Sequence, residues 1–177
     1  MKQEPDRGIR VEESVRIARP AATLYHVWRD FHNLPKIMKH LDEVIVLDGK
    51  RSHWVAKGPL GKRVEWDAEI IHEEPDRQIS WQSISGSDVA SAGSVRFLPD
   101  ERDRSITEVR VVLRYAPPAG KLGEAVASLF GDSASQQIRD DLEHFREWME
   151  RDGAAGELAR ADAARGPGGR GRAEPID

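Results

Sequence analysis

Three tryptophans, Trp54, Trp66 and Trp81, are the residues whose spacing best fits a binding function. Each falls on the inward-facing parity of a predicted strand. An aromatic wall with few polar groups is typical of pockets for flat or apolar small molecules. The same spacing also suits the core of a sheet packed on a helix. We weigh these two interpretations about equally, and we interpret Trp28 as a packing residue of a short helix.

Motifs for metal or nucleophilic chemistry do not occur in the chain. Its six histidines form no HxH pair and no HExxH helix, and His72-Glu73-Glu74 lacks the second histidine of a zinc hydrolase. The absence of cysteine excludes disulfides and thiolate chemistry. There is also no GxSxG motif and no glycine-rich phosphate loop. The sequence therefore predicts no metal and no cofactor.

Polar residues with inward parity are few. They are Ser83, Thr107 and Tyr115, with Gln137 as a further candidate on the last helix. Cyclisation or dehydration needs a positioned acid or base. The inward parity supplies no carboxylate and no histidine, because acidic residues such as Asp67 have the opposite parity. The pattern therefore gives little support for catalysis, and we assign no catalytic residue.

Hydropathy periods define the elements that position these side chains. Period-two alternation predicts a strand at 14–17, and Pro20 ends it and can begin a helix. Apolar residues at helical spacing follow, first from Leu24 to Phe31 and then in a second short helix, which Asn33 can cap. Six further strands joined by short turns predict a sequential antiparallel sheet. These strands are 44–47, 53–57, 62–72, 78–84, 92–98 and 105–115.

A long C-terminal helix completes the predicted domain. Its apolar stripe begins at Leu122, is interrupted near Gly131 and continues to Met149. The fold class is therefore α+β. We predict a flexible N-terminus at 1–9, one domain at 10–152 and a disordered tail rich in Gly, Ala and Arg at 153–177.

Charge and hydropathy limit the classes of partner. The 177 residues include 27 basic and 31 acidic side chains, which give a net charge of −4. Nucleic-acid binding usually requires a basic excess, so we predict no nucleic-acid partner. No run approaches the roughly 20 apolar residues of a membrane span, and the N-terminus lacks an apolar signal-peptide core. We therefore expect a cytoplasmic protein without stable membrane insertion, and we leave its oligomeric state open.

Several segments resemble one known family. The segment RPAATLYHVWRDFHNLPKIMKHL is similar to the opening of the polyketide cyclase/dehydrase group, which includes coenzyme Q-binding START-domain proteins. The segments GPLGKRVEWDAEIIHEEPDRQISWQS, SAGSVRFLPD and TEVRVVLRY resemble its middle strands, and LFGDSASQQIRDDLEHFREWME resembles its last helix. The resemblance covers about residues 10–152. It implies the helix-grip fold of the SRPBCC (START-like) superfamily, in which about seven strands wrap a long helix around a hydrophobic cavity.

The resemblance and the tryptophans together predict binding of a hydrophobic or aromatic small molecule, such as a lipid, an isoprenoid quinone or a polyketide-like compound. A void of roughly 300 Å³ or more between sheet and helix would favour such a ligand, whereas a packed interior would favour a scaffold. We expect the gate to consist of Leu34, Ile37 and Met38. The expected ligand-binding residues are Trp54, Trp66, Trp81, Ser83, Phe97, Thr107, Val109, Val111, Tyr115, Leu129, Ile138 and Leu142.

Two alternative functions remain open. One is an aromatase-type cyclase or dehydratase in which Tyr115, Thr107 and Ser83 form hydrogen bonds to the substrate. A buried ionisable residue in the cavity would favour this enzyme. The other is a protein-interaction or stress-related module that acts through its charged surface and through Arg165, Arg170 and Arg172 of the tail.

Overall fold

The structure, a computed structural model, describes residues 9–57, 63–87, 89–116 and 134–151. Within these ranges the chain forms seven β-strands, three α-helices and one 3-10 turn. The strands are β1 (Ile9–Ile17), β2 (Leu41–Val46), β3 (Arg51–Lys57), β4 (Arg63–Glu74), β5 (Gln78–Ser83), β6 (Ala90–Pro99) and β7 (Thr107–Ala116). The helices are α1 (Ala21–Arg29), α2 (Leu34–Ile37) and α3 (Ala134–Glu150), and the 3-10 turn is Phe31–Asn33.

The strands form a single curved antiparallel sheet with the order β1-β7-β6-β5-β4-β3-β2. The predicted α+β class and the number of strands are confirmed. The sheet is sequential from β2 to β7, but β1 pairs with β7 and not with β2. The two short helices therefore carry the chain from one edge of the sheet to the other.

Side-chain alternation on β4 assigns the two faces of the sheet. Val64, Trp66, Ala68 and Ile70 are buried, whereas the residues between them are exposed or half-buried. The inward parity predicted for this strand is confirmed. Along α3 the predicted apolar stripe is also buried and belongs to the same hydrophobic core. Its members are Ile138, Leu142, Phe145 and Met149.

Local chemistry explains the short helices. Pro20 precedes α1 with a φ of −63°, and no side chain caps this helix. Asp30 ends α1 and accepts a hydrogen bond from the backbone N–H of His32. The capping role predicted for Asn33 is wrong, because its side chain donates instead to the carbonyl of Val27 at 3.0 Å. This buried bond ties the turn to α1.

Several predicted features lie outside the described residues. They are the helical stripe from Leu122, the break near Gly131, residue Leu129 and the tail at 153–177. The first strand begins at Ile9, one residue before the predicted domain boundary. Of the helices that the structure describes, none is both long and apolar enough to cross a bilayer.

Candidate functional site

A cavity of about 50 Å³ lies between the sheet and α3. The segment 34–40, which we call the gate segment, borders it together with the start of β2. Within the described ranges, the strands contribute Trp54, Trp66, Trp81, Ser91, Val111 and Leu113 to the lining. The helices and the gate region contribute Trp28, Ile37, Met38, His40, Leu41, Gln137, Ile138, Asp141 and Leu142. The lining is therefore mostly apolar, with a small polar group on one side.

The three predicted tryptophans form one continuous aromatic wall. Trp54 lies directly opposite Trp66 in the register of β3 and β4, and their ring centroids are 5.8 Å apart at 30°. Trp54 also stacks with Trp81, at 6.3 Å and 22°. The indole N–H of Trp54 donates to the hydroxyl of Ser52 at 2.8 Å. This bond uses the polar edge of the ring and leaves an apolar surface toward the cavity.

Gly93 makes room for one part of this wall. It lies directly opposite Trp81 in the register of β5 and β6. A Cβ atom at Gly93 would lie 2.5 Å from Cζ2 of Trp81, closer than side chains can approach. The indole therefore lies against the bare backbone of β6. The segment SAGSV contained this signal, because a glycine inside a strand often marks such a close approach.

The polar side of the cavity consists chiefly of His40 and Asp141. Nδ1 of His40 lies 3.7 Å from Oδ2 of Asp141, which is longer than a hydrogen bond. The other carboxylate oxygen, Oδ1, accepts the backbone N–H of Lys39 at 3.4 Å. Asp141 is only 5% exposed, and among the described residues no group donates a hydrogen bond to its buried Oδ2 atom. The gate segment and α3 therefore meet at a carboxylate with few hydrogen bonds.

Burial shifts both groups toward their neutral forms. It lowers the pKa of His40 from 6.5 to about 4. It raises the pKa of Asp141 from 3.8 to about 6, against the opposing effects of the Lys39 backbone bond and the Lys39 charge. At neutral pH the cavity therefore holds a neutral imidazole beside a carboxylate.

The expectation that no carboxylate or histidine faces the cavity is wrong, because His40 and Asp141 both line it. Asp141 follows Ile138 by three residues and precedes Leu142, so it shares their side of the helix. Helical spacing could have identified it. His40 gave no comparable signal, because it lies between a short helix and a strand.

Eight of the predicted ligand and gate residues line the cavity. They are Trp54, Trp66, Trp81, Val111, Ile138, Leu142, Ile37 and Met38. Trp28 also lines it and packs edge-on against Phe97 and Phe145, in agreement with its predicted packing role.

The other predicted residues in the described ranges occupy the surrounding structure. The hydroxyl of Thr107 donates to the carbonyl of Arg19 at 2.8 Å, and that of Ser83 accepts the backbone N–H of Ser91 at 3.0 Å. Phe97 packs edge-on against Tyr25. Buried core positions hold Val109, Tyr115 and Leu34. The three polar groups suggested for catalysis, Ser83, Thr107 and Tyr115, are therefore not among the cavity-lining residues.

A second polar cluster anchors α1 to the end of β4. The Tyr25 hydroxyl donates to Oε1 of Glu73, and Nε of Arg29 donates to the same oxygen at 2.6 Å. A further Arg29 nitrogen donates to the carbonyl of Gly49 at 2.9 Å. Burial and the Glu73 carboxylate raise the pKa of Tyr25. Burial raises the pKa of Glu73, but its hydrogen bonds with Tyr25 and Arg29 outweigh this and lower it overall.

Neither cluster has the composition of a metal site. In the part of the chain that the structure describes, no group of three or more His, Asp or Glu side chains could hold a metal ion. The lining residues offer aromatic stacking, apolar contact and hydrogen bonding to the polar side chains of His40, Ser91, Gln137 and Asp141.

Solved structures of similar fold are numerous. A protein of Deinococcus radiodurans, DR_A0006, is 40% identical, with a TM-score of 0.65 over 80% of this chain and 98% of that one. The ZhuI aromatase/cyclase of a Streptomyces species is 16% identical, with a TM-score of 0.63 over 82% and 98% of the two chains. A START superfamily protein of Mycobacterium smegmatis is 17% identical, with a TM-score of 0.59 over 79% and 98%.

The last two likenesses concern the fold alone, and they agree with the helix-grip arrangement of sheet and helix described above. The family described as polyketide cyclase/dehydrase and lipid transport matches residues 17–143. This range contains all seven strands except most of β1, together with the tryptophan wall, His40 and Asp141. The resemblance identified from the sequence is confirmed, and the chain belongs to the polyketide cyclase/dehydrase and lipid transport family.

Proposed function

We propose that this protein binds a hydrophobic or aromatic small molecule, such as a lipid, an isoprenoid quinone or a polyketide-like compound, between the sheet and α3. The observation that carries the proposal is the wall of Trp54, Trp66 and Trp81, which faces an otherwise largely apolar cavity. Stacked indoles offer a large flat surface to an apolar ligand. Family membership supports the same class of ligand.

The cavity volume requires a conformational step. At about 50 Å³ the void in this state does not reach the roughly 300 Å³ that we set, from the sequence, as the size favouring a ligand. The bound state must therefore be wider than this one. We assign this movement to the gate segment, because it borders the cavity and the hydrogen bond from the Lys39 N–H to Asp141 is long, at 3.4 Å. The Lys36 ammonium of the same segment makes a cation–π contact with Trp148, 5.7 Å from the ring centroid.

Intrinsic fluorescence tests the proposal directly. Titration with an isoprenoid quinone, a long-chain alcohol and a polycyclic aromatic compound is expected to give saturable quenching by at least one of them. Trp81→Leu should weaken binding about tenfold, because it removes one indole of the wall. Trp148→Phe is the matched control, since Trp148 is not among the cavity-lining residues, and it should leave the affinity unchanged. Equal affinities of the two variants, or no saturable quenching, would contradict the proposal.

A second candidate function is a cyclase or dehydratase of the aromatase type. The observation that favours it is the buried His40–Asp141 pair, whose perturbed pKa values suit proton transfer. A poly-β-ketone thioester would be incubated with the protein, and loss of water would be followed by mass spectrometry. If the enzyme proposal holds, Asp141→Asn should abolish turnover while retaining binding. Because cyclisation without loss of water leaves the mass unchanged, the product would also be separated by chromatography, and an unchanged mass together with an unchanged retention time would contradict the enzyme proposal.

We also propose that the protein is cytoplasmic, that it binds no nucleic acid and that its arginine-containing tail contributes to a protein-interaction or stress-related role. Removal of residues 153–177 followed by measurement of partner retention tests the last of these.

A further inference from the structure

On the polar side of the cavity, no side chain or backbone group of the described residues donates to one buried carboxylate oxygen, Oδ2 of Asp141. Asp141 is 5% exposed, and its Oδ2 atom lies in the cavity lining region at 3.7 Å from Nδ1 of His40. A buried carboxylate oxygen without a donor is costly, and native structures usually provide one. A donor group on a molecule bound in the cavity would satisfy this oxygen.

Ser91 and Gln137 also line the cavity, but neither side chain is hydrogen-bonded to Oδ2 of Asp141. The indole N–H of Trp54 already donates to Ser52 at 2.8 Å. The backbone N–H of Lys39 reaches only the other oxygen of the carboxylate. Since burial lowers the pKa of His40 to about 4, the imidazole brings no positive charge to Asp141 at neutral pH. Among the described residues, the carboxylate thus faces the cavity without a hydrogen-bonded cation.

We infer that the ligand is a hydroxylated aromatic compound, whose ring stacks on the tryptophan wall while its hydroxyl donates to Oδ2 of Asp141. This inference rests on the proposed binding function and narrows it to one class. It also excludes a class, because an anionic ligand such as a fatty-acid carboxylate would place two like charges in a site with little water. A neutral ring without a donor would leave the carboxylate oxygen unpaired.

Three probes with one ring system test the inference by calorimetry at about pH 7.5, where Asp141 is ionised. They are 2-naphthol, 2-methoxynaphthalene and 2-naphthoate, which offer a donor, no donor and a negative charge. Hydrogen bonds to charged groups predict that 2-naphthol binds about tenfold to a hundredfold more tightly than its methyl ether. The naphthoate should be the weakest of the three.

Variants assign the preference to one side chain. Asp141→Leu should reduce the ratio of naphthol to methyl ether affinity to about twofold or less, because it removes the acceptor. Asp141→Asn should bring the affinity for naphthoate closer to that for the methyl ether, because it removes the charge. Asp140→Asn is the control, since Asp140 is exposed on the same helix, and it should preserve the wild-type ratios.

The results distinguish a failure of the hydroxyl-donor inference from a failure of the proposed binding function. Equal affinity of the wild-type protein for naphthol and its methyl ether would overturn the inference while leaving the binding function intact. Tighter binding of naphthoate would do the same. If neither the three probes nor the quinone, the alcohol and the polycyclic compound bind, the proposed function itself fails. The wild-type comparison does not depend on the folding of any variant.

Discussion

Two polar clusters, Tyr25–Arg29–Glu73 at the end of β4 and His40–Asp141 in the cavity, differ in how well their hydrogen bonds are satisfied. At the end of β4, Glu73 accepts from both Tyr25 and Arg29, although its side chain is still 30% exposed. In the cavity, Asp141 is more deeply buried and receives, within the described part of the chain, one long hydrogen bond from the Lys39 N–H. The less solvated carboxylate therefore has fewer partners, which is the reverse of what stability alone would favour.

This difference in hydrogen bonding at similar or greater burial helps to distinguish structural polar groups from functional ones. Tyr25, Arg29 and Glu73 hold α1 on the sheet, and the hydrogen bonds from Tyr25 and Arg29 favour the charged form of Glu73 and lower its pKa. Burial at His40 and Asp141 instead favours the neutral forms of both residues. An ionisable group that is buried despite the cost of removing it from water is a candidate for ligand contact or proton transfer.

Among these variants, we expect the greatest loss of stability when the hydrogen bonds of the Tyr25–Arg29–Glu73 cluster are removed. Glu73→Leu should lower the free energy of unfolding by about 3 kcal/mol, because Tyr25 and Arg29 both lose their acceptor. Chemical denaturation measures this change. Glu74→Gln is the matched control, since Glu74 makes only an exposed contact with Arg77, and it should cost less than about 0.5 kcal/mol. A similar loss in both variants would show that the cluster does not anchor α1.

A smaller effect is expected at the cavity wall. Gly93→Ala places a methyl group against the Trp81 indole and should cost about 2 kcal/mol, since a packed ring must shift. Near-ultraviolet circular dichroism should change with it, because the Trp54–Trp81 stack is disturbed. Gly49→Ala is the control, because its Cβ would contact nothing within 4 Å. An unchanged spectrum of Gly93→Ala would mean that Gly93 does not position the wall.

The smallest effect is a pair of opposing pH dependences at the unsatisfied cluster. The pKa of His40 falls from 6.5 to about 4 on folding, so its contribution to stability is present above pH 6.5 and lost as the pH falls toward 4. The pKa of Asp141 rises from 3.8 to about 6, so its contribution is present below pH 3.8 and lost as the pH rises toward 6. In the wild type these contributions partly cancel.

Replacing one of the two residues should reveal the pH dependence that the other contributes to stability. Relative to the wild type, Asp141→Asn should lose about 1 kcal/mol or more of stability between pH 6.5 and 4, and His40→Asn should gain a similar amount over this range. Urea unfolding at a series of pH values measures both changes. Parallel curves for the three proteins would show that the two residues do not titrate with shifted pKa values.

Much of the fold followed from local patterns. The alternation of β4 and the stripe of α3 predicted which side chains are buried, because neighbours two or three to four positions apart share a face. The pairing of β1 with β7 could not be predicted from turn lengths, since the intervening helices allow β1 to join either edge. The role of Asn33 was also missed, because its bond to Val27 depends on how the turn folds back on α1.

The helices and strands, their buried faces and the family could all be predicted from the sequence alone, because they depend on short-range periodicity and on segments shared with relatives. Which inward residues line one cavity, and how large that cavity is, could be seen only in the tertiary structure. The stack of Trp54 on Trp81 joins two strands that are separated by β4 in the sheet. The contact between Lys39 and Asp141 joins residues that are 102 positions apart. Curvature of the sheet and packing of α3 bring such groups together, and no local pattern encodes those distances.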